Sequence, residues 1–256
     1  MVSVDIQNVQ KRFSRAIETY DNAAVAQRAI CKHLIRLVPT NKSYINALEV
    51  GCGTGILTSL LLQQHVSQHW TINDLCPEVK EKVKALFEKE KRRTPPRFHI
   101  GDIETLTFED QTYDLIISAS MLQWLRNPKL FYERVSNWLQ PEGFFVFNTF
   151  SSQNFYEIRS ITGTGLSYPS TNELTAWMNK DLKILQVHKE QISLQFDSPI
   201  AMLRHLKETG VTAIGNTKWT KHSLNTFSSR YQKEYGTKDG KVKLTYCPIY
   251  FVTQKK

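Results

Sequence analysis

A short glycine-rich turn constrains this 256-residue chain more than any other feature of its sequence. Residues 47–55 read Ala-Leu-Glu-Val-Gly-Cys-Gly-Thr-Gly, an apolar strand that breaks into three alternating glycines before the apolar run 56–62. Glycine tolerates positive φ and lets another molecule approach the main chain, and a helix that begins near Gly55 directs free N–H groups toward that molecule. The pattern therefore predicts a strand, a tight turn and a helix that bind a nucleotide-type ligand, with a plain structural bend as the alternative.

The spacing of this turn and the acid before it narrow the choice of ligand. Gly51, Gly53 and Gly55 follow Gly-x-Gly-x-Gly rather than the dinucleotide pattern Gly-x-Gly-x-x-Gly. Glu49 stands where it would repel a pyrophosphate and attract a cation. S-adenosylmethionine carries both a sulfonium and an ammonium group, so we expect this cofactor at the turn.

Two further acids follow the next two predicted strands. Asp74 ends the strand 69–74, and Asp102-Ile103 directly follow the strand 97–101. Open α/β sheets bind ligands at the carboxyl ends of their strands, so Asp74 is placed to bind ribose hydroxyls and Asp102 to hold the adenine amino group. The alternative is that both acids merely cap the elements that follow them.

This constellation resembles the class I S-adenosylmethionine-dependent methyltransferases. Residues 113–119 match the fourth strand of that family, and residues 121–124 match the loop that faces the methyl group. The resemblance implies an α/β, Rossmann-like fold: a seven-stranded, mostly parallel sheet with an antiparallel last strand, helices on both faces, N-terminal helices and a lid insertion after the fifth strand. The cofactor-binding residues that it implies are Glu49, Gly51, Gly53, Gly55, Asp74, Leu75, Asp102, Ile103, Ser118, Gln123 and Trp124.

A closer resemblance, to the malonyl-acyl carrier protein O-methyltransferases of biotin synthesis, covers nearly the whole chain. The segments that carry it are residues 4–5, 13–16, 20, 27–28, 101–104, 123–124, 203–212 and 244–246. It implies methyl transfer from S-adenosylmethionine to the free carboxylate of a malonyl thioester on acyl carrier protein. The chain departs from the family at Ile6, where a lysine is frequent, and along residues 151–169.

Methyl transfer to a carboxylate needs no general base, because that group is already ionised at neutral pH. It does need a group that orients the acceptor. Tyr20 and Arg204 are our catalytic candidates, and Lys207 and His205 our candidates for contact with the malonyl group or its carrier. The alternatives are that Tyr20 lies on the apolar face of a helix, that the two basic residues are surface, and that His205 only packs.

The composition of the chain limits the classes of protein to which it can belong. With 41% hydrophobic residues, residues 1–256 can form a single methyltransferase domain, with N-terminal helices over 1–40 and a lid insertion over 151–170. We expect a cytoplasmic protein, because the chain has neither a membrane-spanning apolar run nor a signal-peptide pattern. A monomer is also expected. Its four cysteines and seven histidines show no metal-ligand spacing, so no metal is expected.

The formal charge of +9 is concentrated in the last third of the chain. Residues 181–256 hold 13 Lys or Arg against 6 Asp or Glu, a net charge of +7. Such a surface suits nucleic acid, an anionic membrane or an acidic protein, and acyl carrier proteins are acidic; solubility alone is the alternative. A DNA amino-methyltransferase is disfavoured, because residues 118–121 read Ser-Ala-Ser-Met where such enzymes need an acid or amide, prolines and an aromatic. We therefore expect no nucleic acid and no membrane partner.

Periodicity predicts the remaining elements. Helices are expected over 9–37 with a break near 21–22, and over 77–91, 128–139, 199–209 and 221–235; strands are expected over 144–150, 182–196 and 242–252. Two other functions stay open at this point: a methyltransferase for a free small acid or a quinone, and a non-catalytic scaffold that binds S-adenosylmethionine.

Overall fold

A computed structural model describes residues 4–40, 42–211 and 219–256 of the chain. The helices are α1 (Ile6–Ala23), α2 (Val25–Arg36), α3 (Ile56–Gln63), α4 (Val79–Lys89), α5 (Pro128–Trp138), α6 (Tyr156–Thr162), α7 (Thr171–Met178), α8 (Pro199–Glu208) and α9 (Lys221–Tyr235). The strands are β1 (Tyr44–Val50), β2 (Ser67–Asp74), β3 (Arg97–Ile100), β4 (Tyr113–Ser118), β5 (Leu139–Phe150), β6 (Leu182–Lys189), β7 (Ile192–Phe196), β8 (Val242–Tyr246) and β9 (Pro248–Lys255).

Seven strands form one sheet in the order β3-β2-β1-β4-β5-β9-β6. The first five run parallel, and β9 lies antiparallel between β5 and β6. This arrangement confirms the predicted seven-stranded, mostly parallel sheet with an antiparallel last strand. The carboxyl ends of β1, β2 and β4 therefore meet at one edge, where open sheets bind ligands.

Helices cover both faces of the sheet, because its central strands are buried on both sides. Alternate residues of β4 enter different cores: Leu115 and Ile117 pack with α2, α3 and α4, whereas Ile116 packs with α5 and α7. A strand buried on both faces reads as a continuous apolar run, as β4 does.

The N-terminal helices lie over the ligand-binding edge. Asp5 caps α1 by accepting from the backbone N–H groups of Gln7 (3.0 Å) and Asn8 (3.2 Å). The side chain of Gln10 donates to the carbonyl of Leu75 in the loop after β2 (3.0 Å). The break between the two helices falls at Ala24, a few residues after the predicted position.

Two stretches that are each predicted as a single strand form two strands in the structure. The stretch 182–196 divides into β6 and β7, and the stretch 242–252 divides at Cys247 into β8 and β9. In each case the alternating pattern continues while the chain moves from one sheet to another: β6 pairs with β9 in the main sheet, and β7 pairs with β8 in a separate two-stranded sheet.

Two further elements differ from those predicted by the periodicity of the sequence. Strand β5 begins at Leu139, five residues before the prediction, and its pairing with β4 shifts register between Tyr113 and Leu115. Helix α7 was not predicted, although Ser170 and Glu173 form its capping box. In the described part of the chain, no helix is both long enough and apolar enough to cross a membrane.

Candidate active site

The glycine turn after β1 has the backbone conformation that its sequence predicts. Gly51 has φ +72° and Gly53 has φ +53°. A Cβ on Gly51 would lie 2.5 Å from Cγ of Met121, whereas a Cβ on Gly53 would meet nothing within 4 Å. Gly51 therefore lets the loop after β4 approach, and Gly53 borders open space. The backbone N–H groups of Gly51 and Cys52 both donate to the carbonyl of Asn73 (2.9 and 3.0 Å), which holds the turn against β2.

A cleft opens above this turn, between the sheet edge and α1, and we call it the cofactor cleft. Its empty space is about 1110 Å³, which includes the open mouth. The N-terminal helices line one side of it through α1 (Ile6, Val9, Phe13, Ile17, Tyr20) and α2 (Gln27, Cys31). The segments at the sheet edge line the other side: the turn and α3 (Gly51 to Thr54, Ile56, Leu57), the end of β2 and the start of α4 (Asn73 to Cys76, Val79), the loop after β3 (Gly101 to Glu104) and the loop after β4 (Ala119 to Met121, Trp124, Leu125).

Asp74 joins the turn to the end of β2. One carboxylate oxygen accepts from the backbone N–H of Gly53 (2.7 Å), and the other accepts from that of Cys76 (2.8 Å). Burial raises the pKa of Asp74, and these hydrogen bonds oppose the rise. Asp74 therefore caps a local turn through Cys76 and also lines the cofactor cleft, and its role in binding the ribose stays a prediction.

Asp102 lies in the same cleft and is held by a residue that the sequence did not indicate. Its carboxylate accepts from the backbone N–H of Glu104 (2.9 Å) and forms an ion pair with the guanidinium of Arg126. Arg126 also pairs with Glu104 through Nε (3.1 Å). The loop after β3 is thus clamped to the loop after β4. Arg126 gives no local signal of this role, because its two partners precede it by more than 20 positions.

Glu49 lies beneath the turn and is not among the residues that line the cleft. Its side chain is 1% exposed, and one oxygen accepts from the hydroxyl of Thr58 (2.8 Å). The other oxygen has no hydrogen-bond partner. Burial raises the pKa of Glu49 to about 8. An unpartnered buried carboxylate below the glycines fits a ligand that carries positive charge.

The remaining predicted cofactor residues divide into two groups. Leu75, Ile103 and Trp124 line the cleft. Ser118 lies outside its lining, because the hydroxyl is fully buried and donates to the carbonyl of Val50 (2.8 Å), which ties β4 to β1. Gly55 begins α3 in the left-handed region, also outside the lining.

A second, smaller compartment adjoins the cofactor cleft, and we call it the side compartment. It encloses about 360 Å³ of empty space and shares Phe13, Tyr20, Gln27, Ser120 and Trp124 with the cofactor cleft. Its other walls are Gln123, Phe150, Asn154, Phe155, Leu166, Tyr168, Val211 and Tyr246. The inserted residues 151–170 thus contribute walls to the side compartment. Tyr20 lies between the two spaces, and burial raises the pKa of its phenol well above the ordinary value.

Helix α8 does not bring its predicted residues into either space. Arg204 and Lys207 are exposed on the helix and line neither the cofactor cleft nor the side compartment. His205 is 7% exposed, and its Nε2 lies 2.7 Å from the hydroxyl of Tyr246. Burial lowers the pKa of His205 to about 4, so its ring is neutral at physiological pH. His205 therefore reaches the side compartment only through Tyr246. Thr212, the end of the matching segment 203–212, lies outside the described residues.

The charges of the cofactor cleft suit one class of ligand. The described residues of its lining include three acids, namely Asp74, Asp102 and Glu104, and no Lys, Arg or His. Cys31, Cys52 and Cys76 also line it, but burial raises the pKa of each thiol, so they are neutral. Acids repel a pyrophosphate and attract a cation, and carboxylates accept hydrogen bonds from ribose hydroxyls. These residues fit S-adenosylmethionine.

Comparison with known proteins agrees with this geometry. Residues 48–147 match the methyltransferase domain family. Among solved structures, the YcgJ protein of Bacillus subtilis superposes with a TM-score of 0.62 at 15% identity, over 88% of this chain and 99% of that one. An S-adenosylmethionine-dependent methyltransferase of Mesorhizobium loti superposes with a TM-score of 0.53 at 11% identity, over 87% of this chain and 96% of that one. At these identities the two structures establish the fold.

Curated relatives are much more similar in sequence. The malonyl-[acyl-carrier protein] O-methyltransferase of Porphyromonas gingivalis is 42% identical, over 98% of this chain and 96% of the relative. The protein of the same name from Haemophilus ducreyi is 38% identical, over 100% of this chain and 99% of the relative. The similarity thus spans both proteins from end to end, including the N-terminal helices and the insertion. The chain belongs to the family of malonyl-[acyl-carrier protein] O-methyltransferases.

Proposed function

We propose that this protein transfers a methyl group from S-adenosylmethionine to the free carboxylate of a malonyl thioester on acyl carrier protein, giving the methyl ester that enters biotin (pimeloyl) synthesis. One observation carries the proposal. The sheet edge that holds the glycine turn and the acids opens into a side compartment lined by polar and aromatic residues. Two adjoining spaces can hold a methyl donor and an acceptor side by side, and the names of the full-length relatives support a malonyl acyl carrier protein as the acceptor.

Different residues of the cofactor cleft are proposed to bind different parts of the cofactor. In this proposal Asp74 accepts from the ribose hydroxyls, and Asp102 and Ile103 bind the adenine; all three line the cofactor cleft, which supports these roles. Glu49 below the turn is protonated at neutral pH in the cofactor-free protein, because burial raises its pKa to about 8, and in this proposal it ionises when the cationic cofactor binds. When bound, S-adenosylmethionine supplies a methyl group on a sulfonium, whose positive charge is lost together with the negative charge of the carboxylate.

The chain accelerates such a transfer by alignment and by exclusion of water. Water stabilises separated ions, so a dry site favours a reaction in which charge disappears. Apolar side chains of α1 form one wall of the cofactor cleft, among them Val9, Phe13 and Ile17. Leu166 and Tyr168 of the insertion close the side compartment on another side, as expected of a lid.

The carrier protein is proposed to dock on the basic surface formed by Arg204 and Lys207. Helix α8, which carries both, packs against α1, and the hydroxyl of Thr19 donates to the carbonyl of Glu208 (3.0 Å). Helix α1 lines the cofactor cleft. An acidic carrier bound to α8 would therefore lie beside the helix that covers the site, and its flexible arm would have a short path to the site.

The product tests this function directly. Incubated with labelled S-adenosylmethionine, the protein is expected to methylate malonyl-acyl carrier protein faster than malonyl-CoA, and malonyl-CoA faster than free malonate. Mass spectrometry is expected to place the methyl group on the malonyl carboxylate oxygen. Transfer to nitrogen or carbon, or turnover only with a quinone or a free small acid, would contradict the proposal.

The charge of Glu49 makes the stability of the cofactor-free protein depend on pH. The folded protein holds this proton up to a pKa of about 8, whereas the unfolded chain releases it near 4.5, so Glu49 lowers the stability as pH rises through that range. Glu49→Gln is expected to flatten this fall and to raise the melting temperature at pH 8. It is also expected to weaken cofactor binding by about 5- to 50-fold, because the charge is lost. Thermal melts between pH 5 and 8 and calorimetry measure the two effects.

Glu157 is the matched control for this prediction. It is also fully buried, but both of its carboxylate oxygens accept from Thr245, one from the hydroxyl and one from the backbone N–H (3.3 Å). An amide has one acceptor oxygen, so Glu157→Gln is expected to destabilise the fold at pH 8. A melting temperature of Glu49→Gln that falls in parallel with that of Glu157→Gln would refute the prediction for Glu49.

A further inference from the structure

Unsatisfied polar atoms gather in the walls of the side compartment. Seven buried side-chain atoms in the described part of the chain have no hydrogen-bond partner. Four of them belong to the walls of this compartment: Gln27 Oε1, Ser120 Oγ, Gln123 Oε1 and Trp124 Nε1. Gln27 is 5% exposed and Trp124 is 8% exposed. Buried polar groups normally have partners, so this concentration marks a place for a polar ligand. The two amide oxygens can only accept, so an anionic ligand would pair with Ser120 Oγ and Trp124 Nε1 alone.

The described residues of the compartment offer no cation to such a ligand. Within residues 4–40, 42–211 and 219–256, its lining holds no Lys, Arg or His, and Arg204, our sequence-based candidate for orienting the acceptor, is exposed on α8. The hydrogen-bond donors that remain are neutral. The indole N–H of Trp124 can only donate, and the hydroxyl of Ser120 can donate as well as accept.

From these observations, and on the basis of the proposed function, we propose that the side compartment is the acceptor subsite, and that it binds the carboxylate of a short acyl thioester through the neutral donors of Trp124 and Ser120. The acceptor would thus be oriented by hydrogen bonds alone, and Trp124 and Ser120 determine the preference for a carboxylate over its ester.

Neutral donors suit the chemistry better than a cation would. The attacking carboxylate oxygen forms the bond to the methyl carbon while the carbon–sulfur bond breaks and its electron pair remains on sulfur; no proton moves. The carboxylate loses its charge in this step, so a Lys or Arg partner would stabilise the ground state more than the transition state and slow the transfer. A neutral donor fixes the position of the carboxylate with a smaller penalty of this kind.

The backbone around the subsite holds these donors in place. Ser120 has φ +55°, an uncommon conformation for a residue other than glycine, and its N–H donates to the buried side chain of Asn148 (2.9 Å). The Trp124 ring packs edge to face on Phe13 of α1, with ring centroids 5.6 Å apart. The donor positions are therefore set by β5 on one side and by α1 on the other.

Trp124→Phe and Ser120→Ala test the inference, because each removes a donor and keeps most of the packing. Each is expected to raise KM for malonyl-acyl carrier protein by about 10- to 100-fold, the effect of losing one hydrogen bond to a charged group. kcat is expected to stay the same or to rise, because a bond that weakens as the charge disappears stabilises the bound carboxylate more than the transition state. Because both residues also line the cofactor cleft, the dissociation constant for S-adenosylmethionine is measured in parallel and is expected to rise by a smaller factor than KM for the acceptor.

The chain provides a matched control for each variant. Trp70 Nε1 and Ser228 Oγ are also buried without a partner, but neither residue lines the cofactor cleft or the side compartment. Trp70→Phe and Ser228→Ala are expected to leave both kinetic constants unchanged. If Trp124→Phe and Ser120→Ala behave like these controls while the wild type methylates the malonyl carrier, the subsite is wrong and the proposed function stands.

A binding measurement separates the subsite from the proposed function. Malonyl-pantetheine and its methyl ester are titrated calorimetrically into the wild type and Trp124→Phe, each saturated with S-adenosylhomocysteine. The wild type is expected to prefer the free carboxylate by about tenfold or more, and Trp124→Phe is expected to lose most of that preference. This result supports the subsite even if no turnover occurs and the proposed function fails. Equal preference in both proteins overturns the subsite.

Discussion

Replacing Asp74 with alanine is expected to reduce the affinity for S-adenosylmethionine by about 5- to 150-fold, or about 1 to 3 kcal/mol. The reason is the loss of charge-assisted hydrogen bonds to the ribose. The substitution also leaves the backbone N–H groups of Gly53 and Cys76 without their acceptor, so a lower melting temperature is expected as well. Calorimetric titration of the folded variant measures the affinity, and thermal denaturation measures the stability.

Asp114 offers a close control for Asp74. It too is a buried carboxylate that accepts from two backbone N–H groups, those of Ile45 (2.6 Å) and Asn46 (3.1 Å). It lies near the beginning of β4, at the sheet edge opposite the cofactor cleft. Asp114→Ala is expected to destabilise the fold to a similar extent and to leave cofactor affinity unchanged. If both variants lower the affinity equally, Asp74 acts only through the fold.

Reversal of charge on α8 is expected to have a large effect on the carrier substrate. Arg204→Glu combined with Lys207→Glu should raise KM for malonyl-acyl carrier protein by about 5- to 50-fold at low salt, because an acidic partner loses its electrostatic attraction to this surface. kcat and cofactor affinity are expected to stay nearly constant, because both side chains are exposed and line neither space of the site. Steady-state kinetics with purified malonyl-acyl carrier protein measures the change.

Salt provides an independent test of this docking surface. The screening length falls from about 10 Å at 0.1 M to about 3 Å at 1 M salt, so turnover of the carrier substrate should fall more steeply with salt than turnover of malonyl-CoA. Lys183→Glu is the control, because this exposed lysine belongs to the same basic third of the chain but lies near the beginning of β6, away from α8. Equal salt slopes for the two substrates, or equal effects of the α8 and Lys183 reversals, would contradict docking on α8. The net charge of +7 in residues 181–256 would then not mark a binding surface.

Much of the fold could be predicted because its signals are local. The turn at Gly51 and Gly53 depends on backbone freedom within a few residues, and helix α9 was predicted at its observed bounds because its periodicity and ends are both clear. The divisions at residues 190–191 and at Cys247 were not predicted. The alternating pattern continues through both, and only the partner strand decides to which sheet each half belongs.

For the candidate site as well, the sequence predicts only the side chains whose position follows from a local pattern. Asp74 and Asp102 were found because strand ends place them at one edge of the sheet. The sequence placed Ser118 and Gln123 in the cofactor site, whereas the structure uses the hydroxyl of Ser118 inside the sheet and places Gln123 in the side compartment. Arg126 was missed, because an ion pair across two loops leaves no periodic trace.

The sequence by itself determined the class of the sheet, the glycine turn, the acids at the strand ends and the family, since each of these follows from short patterns or from the order of matching segments. Only the tertiary structure decided which side chains meet in the side compartment, because its walls come from α1, α2, the loop after β4, the end of β5, the insertion, the segment after α8 and β8. The distances between such walls depend on the packing of the whole chain. For the same reason, only the structure showed that Arg204 lies outside the side compartment and that Trp124 and Ser120 in its walls have unpaired donors.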